Sequence, residues 1–177
     1  MPEYRRWHKP GGVYFFTVNL ADRRQRLLVE HIDRLRASIA KVRAAHPFEI
    51  EAAVILPDHL HMMWRLPEGD SDYSTRWRLI KSGFVRGLAV PGRQRESLAR
   101  KGERGIWQRR FYEHVVRDET DYANHVDYIH FNPVKHGHAS RPVDWPHSSI
   151  HRFIRKGVLD EKWGVGCDPT VKGMDLD

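Results

Sequence analysis

Apolar positions recur along the chain with two different periods, and the switches between them mark out the elements. Val13-Tyr-Phe-Phe-Thr-Val-Asn-Leu20, introduced by Gly11-Gly12, is dense in aromatic and β-branched residues and predicts a first strand. From about residue 30 to 46 the spacing changes to threes and fours through Ile32, Leu35, Ile39 and Val42, which predicts a helix closed by Pro47. Two strands are expected over 48–56 and 59–66, paired antiparallel because only Pro57-Asp58 joins them. A helix over 74–88 sets Trp77, Ile80, Phe84 and Leu88 on one side, and 91–105 has the composition of a basic loop. A short strand around 114–116, a helix from 118 to about 132 that ends before Pro133, and a last short helix near 148–155 complete the pattern. This order predicts an α+β fold, a central antiparallel β-sheet flanked by helices of the ferredoxin-like or RNA-recognition-like kind. One domain over 1–156 is expected, with an irregular acidic tail over 157–177.

The second hairpin strand carries the first candidate chemistry. Residues two apart share a strand face, so His59 and His61 project together with Met63 and Arg65, while Leu60, Met62, Trp64 and Leu66 form the opposite, apolar face. Two side-by-side imidazoles on the more polar face can chelate a cation. An isolated His-x-His more often satisfies local hydrogen bonds, so the pair needs a third ligand to mean more. Met63 stands where a histidine-triad hydrolase needs its third histidine, and the paired His-x-Thr/Ser elements of two-histidine phosphoesterases are absent. A second pair, His136-Gly-His138, is centred on glycine after Pro133 and reads as a loop.

The late helix carries the second. At about 100° per residue, Tyr122, Val126, Ile129 and Pro133 fall on one stripe, expected to pack on the core and to make Tyr122 structural. Tyr128 and Asn132, four apart, lie about a quarter turn away with His125 and Asp121 nearby, placed to line a cleft. A half-buried aromatic and an ordinary helix-end residue would fit the same facts. Phosphodiester cleavage by a side chain needs a nucleophile, a cation to neutralise the pentavalent phosphate, and ligands for that cation. Tyr128 with His59, His61 and Asn132 supplies all three. A mixed nitrogen and oxygen set of this kind suits Mg²⁺ or Mn²⁺ better than structural zinc.

Charge points to a polyanion. Lys and Arg number 30 against 23 Asp and Glu, a net +7, with a sequence pI near 9.7. Between Arg76 and Arg110 there are 11 basic and 2 acidic residues, interleaved with Trp77, Phe84 and Trp107, as phosphate contacts and base stacking require. Candidate DNA contacts are Arg5, Arg6, Trp7 and Lys9 in an N-terminal arm, and Arg76, Arg78, Lys81, Arg109 and Arg110 beyond; each of these latter five is equally readable as a solubilising charge. Past Gly157 five acids face two lysines, which suggests a tail that shields the basic cleft. The lone Cys167 forms neither an internal disulfide nor a thiolate zinc site, and the run 13–20 is interrupted by Thr17 and Asn19, so a cytoplasmic protein with no membrane partner is expected.

At these residues the chain resembles the REP-associated tyrosine transposases of the HUH superfamily. The resemblance rests on Glu3-Tyr-Arg-Arg6, Gly11 to Asn19, Leu56-Pro-Asp-His-Leu-His61, Trp107-Gln108 with Phe111 and Glu113-His114, Tyr128-Ile129, Asn132-Pro-Val-Lys-His-Gly137 and Asp144-Trp-Pro146. It implies the palm fold of HUH nucleases, His59 and His61 as metal ligands, Asn132 as third ligand and Tyr128 as the attacking tyrosine. It also implies cleavage and rejoining of single-stranded DNA at hairpin-forming repetitive extragenic palindromes through a 5′-phosphotyrosine, by a nucleoid-associated protein acting as a monomer. A phenol with a pKa near 10 is a poor nucleophile at neutral pH; His125 is the candidate base, or equally a surface residue. A non-catalytic single-stranded nucleic-acid-binding module and a phosphoesterase that activates water are the competing readings.

Overall fold

The computed structural model describes residues 8–88 and 105–166. Four strands form one antiparallel sheet in the order β2-β3-β1-β4: β1 is Val13–Asn19, β2 Glu49–Ile55, β3 His59–Arg65 and β4 Tyr112–Val115. The β1 run of β-branched and aromatic residues occupies a central position, where both faces of a strand are buried. The predicted hairpin is present, closed by Leu56 N–H donating to His59 O at 2.9 Å. An extra residue, Glu51, stands between the pairs Ile50–Trp64 and Ala52–Met63.

Alternation along the strands divides the core in two. Tyr14, Phe16 and Val18 of β1 with Leu60, Met62 and Trp64 of β3 meet one helical layer, α1 (Leu27–Glu30), α2 (Ile32–Ala45) and α3 (Tyr73–Val85), through Leu35, Ile39, Tyr73, Trp77 and Phe84. Helices α2 and α3 approach closely at Gly83, where a Cβ would run into the Ser38 hydroxyl. Val13 and Phe15 of β1 with Ala52, Val54 and Met63 meet α4 (Glu119–Lys135) on the other face, through Val126, Tyr128, Ile129 and Phe131. Each of these large side chains contributes roughly 1.5–3 kcal/mol of burial. The helix α5 (Ile150–Arg155) and a 3-10 turn, Pro142–Asp144, come after it, and Trp163 packs against this second cluster.

Three expectations are corrected. The face bearing His59 and His61 is not a polar surface, because α4 covers it and both histidines are buried. Helix α4 does not stop before Pro133 but runs to Lys135. Proline there lacks only its own N–H, and the helix resumes with His136 N–H donating to Asn132 O at 3.0 Å. Its buried side includes Tyr128 and Asn132, whereas Tyr122 is half-buried. The helix expected over 30–46 is present as α2, with the short α1 before it set apart by His31 (φ −118°). Arg5, Arg6, Trp7, Cys167, most of the basic 91–105 stretch and the end of the acidic tail lie outside the described residues. Among those described, no helix is long and apolar enough to cross a membrane.

Candidate active site

The antiparallel register sets Thr17 opposite His61 and Asn19 opposite His59, so neighbouring positions of β1 and β3 build one polar patch inside the second core. The Thr17 hydroxyl lies 2.9 Å from His61 Nδ1. Asp58 Oδ1 lies 2.8 Å from His59 Nδ1. A carboxylate only accepts, so the Asp58 contact favours the His59 tautomer with its proton on Nδ1 and its lone pair on Nε2. Thr17 accommodates the same tautomer in His61. Arg23 braces this end: its Nε pairs with Asp58, Nη1 donates to Asn19 Oδ1 at 3.2 Å, and Nη2 lies 3.2 Å from His59 Nδ1. Burial works to raise the Asp58 carboxyl, but the hydrogen bonds from His59 and Arg23 outweigh it and hold it well below the usual carboxylate range.

Helix α4 brings the remaining parts. Asp118 caps its start, accepting from Asp121 N–H at 2.8 Å. Tyr128 is fully buried, with its ring edge-on to His61 at 5.2 Å between centroids and to Phe15 at 6.0 Å. The His59 and His61 rings are 5.0 Å apart. One turn beyond Tyr128, Asn132 is fully buried and both atoms of its amide lack a hydrogen-bond partner. Such a group costs roughly 1–3 kcal/mol, and a cation reaching the amide oxygen would offset it. The donors therefore fit a divalent ion: imidazole nitrogens turned inward by hydrogen bonds behind them, and a buried, unsatisfied carbonyl oxygen.

Other residues come to the same place without a signal strong enough to single them out. His136 caps the C-terminus of α4, and its ring is 4.9 Å from that of His59, so the residue read as part of a loop borders the site. Lys135 places Nζ 3.5 Å from the Tyr128 hydroxyl and 5.0 Å from its ring centroid. Its offset of about two turns from Tyr128 is the available clue, hidden by the expectation that Pro133 ends the helix.

His125 packs on Phe15, 4.7 Å from that ring. Its Nδ1 is 2.7 Å from Asp121 O, and its ring stacks on His114 at 4.7 Å. Burial pushes its pKa down. His114, Asp121 and His125 offer ligand atoms that all lie within 4.8 Å of one another, a second group able to hold a cation and distinct from the histidine pair. In the structure these atoms satisfy each other, with His114 Nε2 2.8 Å from Asp121 Oδ2 and Arg117 bonded to the same carboxylate.

The proposed DNA contacts divide. Lys9, Arg78, Arg109 and Arg110 are exposed. Arg78 sits on α3, on the sheet face opposite Tyr128. Lys81 donates to Gln108 O at 2.7 Å and lies over the Trp107 ring, tying α3 to the approach to β4. Arg76 is corrected outright: it is 3% exposed and donates to His46 O, Pro47 O, Asp72 O and Asp70 Oδ2, so no part of its guanidinium is turned to a phosphate.

No family model matches the chain. Over 92% of its length it is 47% identical to a REP-associated tyrosine transposase of Escherichia coli K12, of which it spans 91%. A Haemophilus influenzae relative named for the same family is 44% identical over 98% of this chain and 99% of its own. The fold superimposes with a TM-score of 0.80 on a solved REP-associated tyrosine transposase bound to a REP hairpin, at 47% identity and covering 92% of this chain and 91% of that one. Likeness of this degree along nearly the whole of both chains means that the protein belongs to the family of REP-associated tyrosine transposases.

Proposed function

We propose that this transposase cleaves and rejoins single-stranded DNA beside hairpin-forming REP sequences, with Tyr128 as nucleophile. The observation that supports it most is the meeting of Tyr128 with His61 on one sheet face, ring centroids 5.2 Å apart, one helical turn from the unsatisfied Asn132 amide. Attack by the Tyr128 oxygen forms a bond to phosphorus and breaks the bond to the 3′ oxygen. The products are a 5′-phosphotyrosyl protein and a free 3′-hydroxyl; the phenol proton passes to solvent and the 3′ oxygen takes one up. The reverse attack by a 3′-hydroxyl rejoins a strand. His59, His61 and Asn132 would hold Mg²⁺ or Mn²⁺, which when bound supplies positive charge for the phosphate oxygens. Histidines and tyrosine belong to one chain, so a monomer holds a whole site.

The solved relative's REP hairpin motivates the substrate. Exposed Arg109 and Arg110 near β4, with Lys9 and the arm residues Arg5, Arg6 and Trp7, are its proposed contacts. The test is incubation with a hairpin oligonucleotide carrying an unpaired flank and Mn²⁺, and then denaturing electrophoresis. A covalent protein–DNA adduct is expected for the natural sequence and none for Tyr128→Phe, His59→Ala or with EDTA. Cleavage without an adduct would assign the attack to water. Binding without cleavage would leave a non-catalytic binding module.

A further inference from the structure

We infer that Lys135 is a further catalytic residue, whose ammonium stabilises negative charge on the Tyr128 oxygen in both cleavage and rejoining. The inference rests on the reading of Tyr128 as nucleophile. Its basis is a juxtaposition that the continuation of α4 through Pro133 creates. Residues 128 and 135 are separated by about two helical turns and so share a face. Lys135 Nζ lies 3.5 Å from the Tyr128 hydroxyl and 5.0 Å from the ring centroid. The cation is therefore at the oxygen end of the ring, and not only over its face.

The surroundings define what that charge does. Phe15 from β1 and His61 from β3 pack edge-on to the Tyr128 ring. Thr17 engages His61 at Nδ1, 2.9 Å away, which leaves Nε2 for the proposed ion. Phe15 carries no charge, and the neighbouring β3 side chain on that face, Met63, is apolar. On α4, Asn132 is neutral and buried. Lys135, anchored by an exposed position near the helix end, brings a full positive charge to the reacting oxygen without being buried itself.

In cleavage, charge grows on this oxygen as the O–H bond weakens and falls as the bond to phosphorus forms. In rejoining the same oxygen is the leaving group, and the charge returns to it when the phosphorus–oxygen bond breaks. A fixed cation beside it lowers both barriers, and no proton transfer from it is needed. A phosphate-binding lysine would instead act on substrate affinity.

The experiment is single-turnover cleavage of the hairpin oligonucleotide at saturating Mn²⁺, with the maximal rate and the half-saturating DNA concentration measured separately. Lys135→Met and Lys135→Arg are compared with the natural protein, thermal unfolding confirming that all are folded. Lys135→Met is expected to lower the maximal rate roughly 10- to 100-fold and to leave half-saturation within about threefold. Rejoining from the isolated adduct should slow in parallel, and Lys135→Arg should recover most of both rates because it restores the charge. A raised half-saturation with an unchanged maximal rate overturns the inference in favour of phosphate binding. Failure of Lys135→Arg to outperform Lys135→Met overturns it in favour of a packing role. Adduct formation by the natural protein together with an unchanged Lys135→Met rate sinks this inference alone. If the natural protein cleaves without an adduct, the Tyr128 reading falls and takes the inference with it.

Discussion

His61 on β3 and Tyr128 on α4 meet edge to face at 5.2 Å, and Phe15 of β1 touches both, stacked on His61 at 5.6 Å and edge-on to Tyr128 at 6.0 Å. Phe15 is thus the wall against which the proposed ligand and nucleophile are aligned. Its truncation to alanine opens a cavity in a fully buried position and is expected to cost about 3–5 kcal/mol. Phe15→Leu keeps most of the volume but not the flat ring faces. We predict for Phe15→Leu a stability loss of about 1 kcal/mol and a fall in adduct yield larger than unfolding explains. Urea denaturation beside adduct assays at a temperature where the variant is folded will separate the two; equal losses would reduce Phe15 to packing alone.

The Asp58–His59 contact, 2.8 Å, predicts a metal effect from a residue that is not itself a proposed ligand. In Asp58→Asn the amide can present N–H to Nδ1, which moves the imidazole proton to Nε2 and blocks the lone pair needed by the ion. Half-maximal adduct formation should then need about 10- to 100-fold more Mn²⁺. Excess Mn²⁺ should restore the rate. An unchanged Mn²⁺ requirement would show that Asp58 does not orient His59.

Arg76 predicts the reverse of the role its charge suggests. Arg76→Ala leaves three backbone carbonyls and Asp70 without their donor and should cost about 3 kcal/mol of stability. The salt dependence of DNA binding should not change. Arg109→Ala and Arg110→Ala should each reduce that slope by about one while leaving stability near its starting value. A reduced slope in folded Arg76→Ala would return this residue to the DNA interface.

How much of the molecule is legible in the chain depends on the range of each interaction. The aromatic and β-branched run marks β1, period-two alternation in β3 puts His59 and His61 on one face, and helical spacing marks α2, α3 and α4. Burial of the histidine face is not legible, because Thr17, His59 and His61 look like solvent-facing residues until a helix from far along the chain covers them. Arg76 misleads for a related reason: its acceptors His46 and Pro47 lie at the end of α2 and in the turn after it, and charge alone does not disclose them. Lys135 escapes a reading in which proline stops the helix, although a proline this close to a C-terminus removes one hydrogen bond and leaves the last turn intact.

His130 predicts the mild-acid behaviour. It is fully buried, 2.8 Å from the Ser149 hydroxyl, and burial with the nearby Arg152 charge pushes its pKa down to about 3. The folded state holds this imidazole neutral, whereas an unfolded histidine protonates near pH 6.5. Its contribution is therefore fully present above about pH 6.5 and is lost as pH falls toward about 3, at up to about 1.4 kcal/mol per pH unit. Asp58 and Asp121, both held low, lose their contributions only below about pH 4. Between pH 6 and 4, His130→Gln should show a shallower fall in urea midpoint than the natural protein; parallel slopes would place the titrating group elsewhere.

Tyr122 tests whether α4 offers one nucleophile or two. Its hydroxyl donates to Glu51 Oε2 at 2.7 Å, and burial together with that carboxylate pushes its pKa up to about 12. An anion beside Glu51 is disfavoured, so the Tyr122 phenolate is scarcer at neutral pH than that of an ordinary tyrosine. The hydrogen bond is a structural one, joining α4 to the extra residue of β2. Tyr122→Phe should cost about 1 kcal/mol and leave adduct formation intact. Tyr128→Phe should abolish the adduct while the protein still binds hairpin DNA. Peptide mapping of the phosphotyrosyl adduct provides the direct check: DNA attached at Tyr122 would mean that the Glu51 contact breaks on binding and that the nucleophile has been assigned to the wrong turn of the helix.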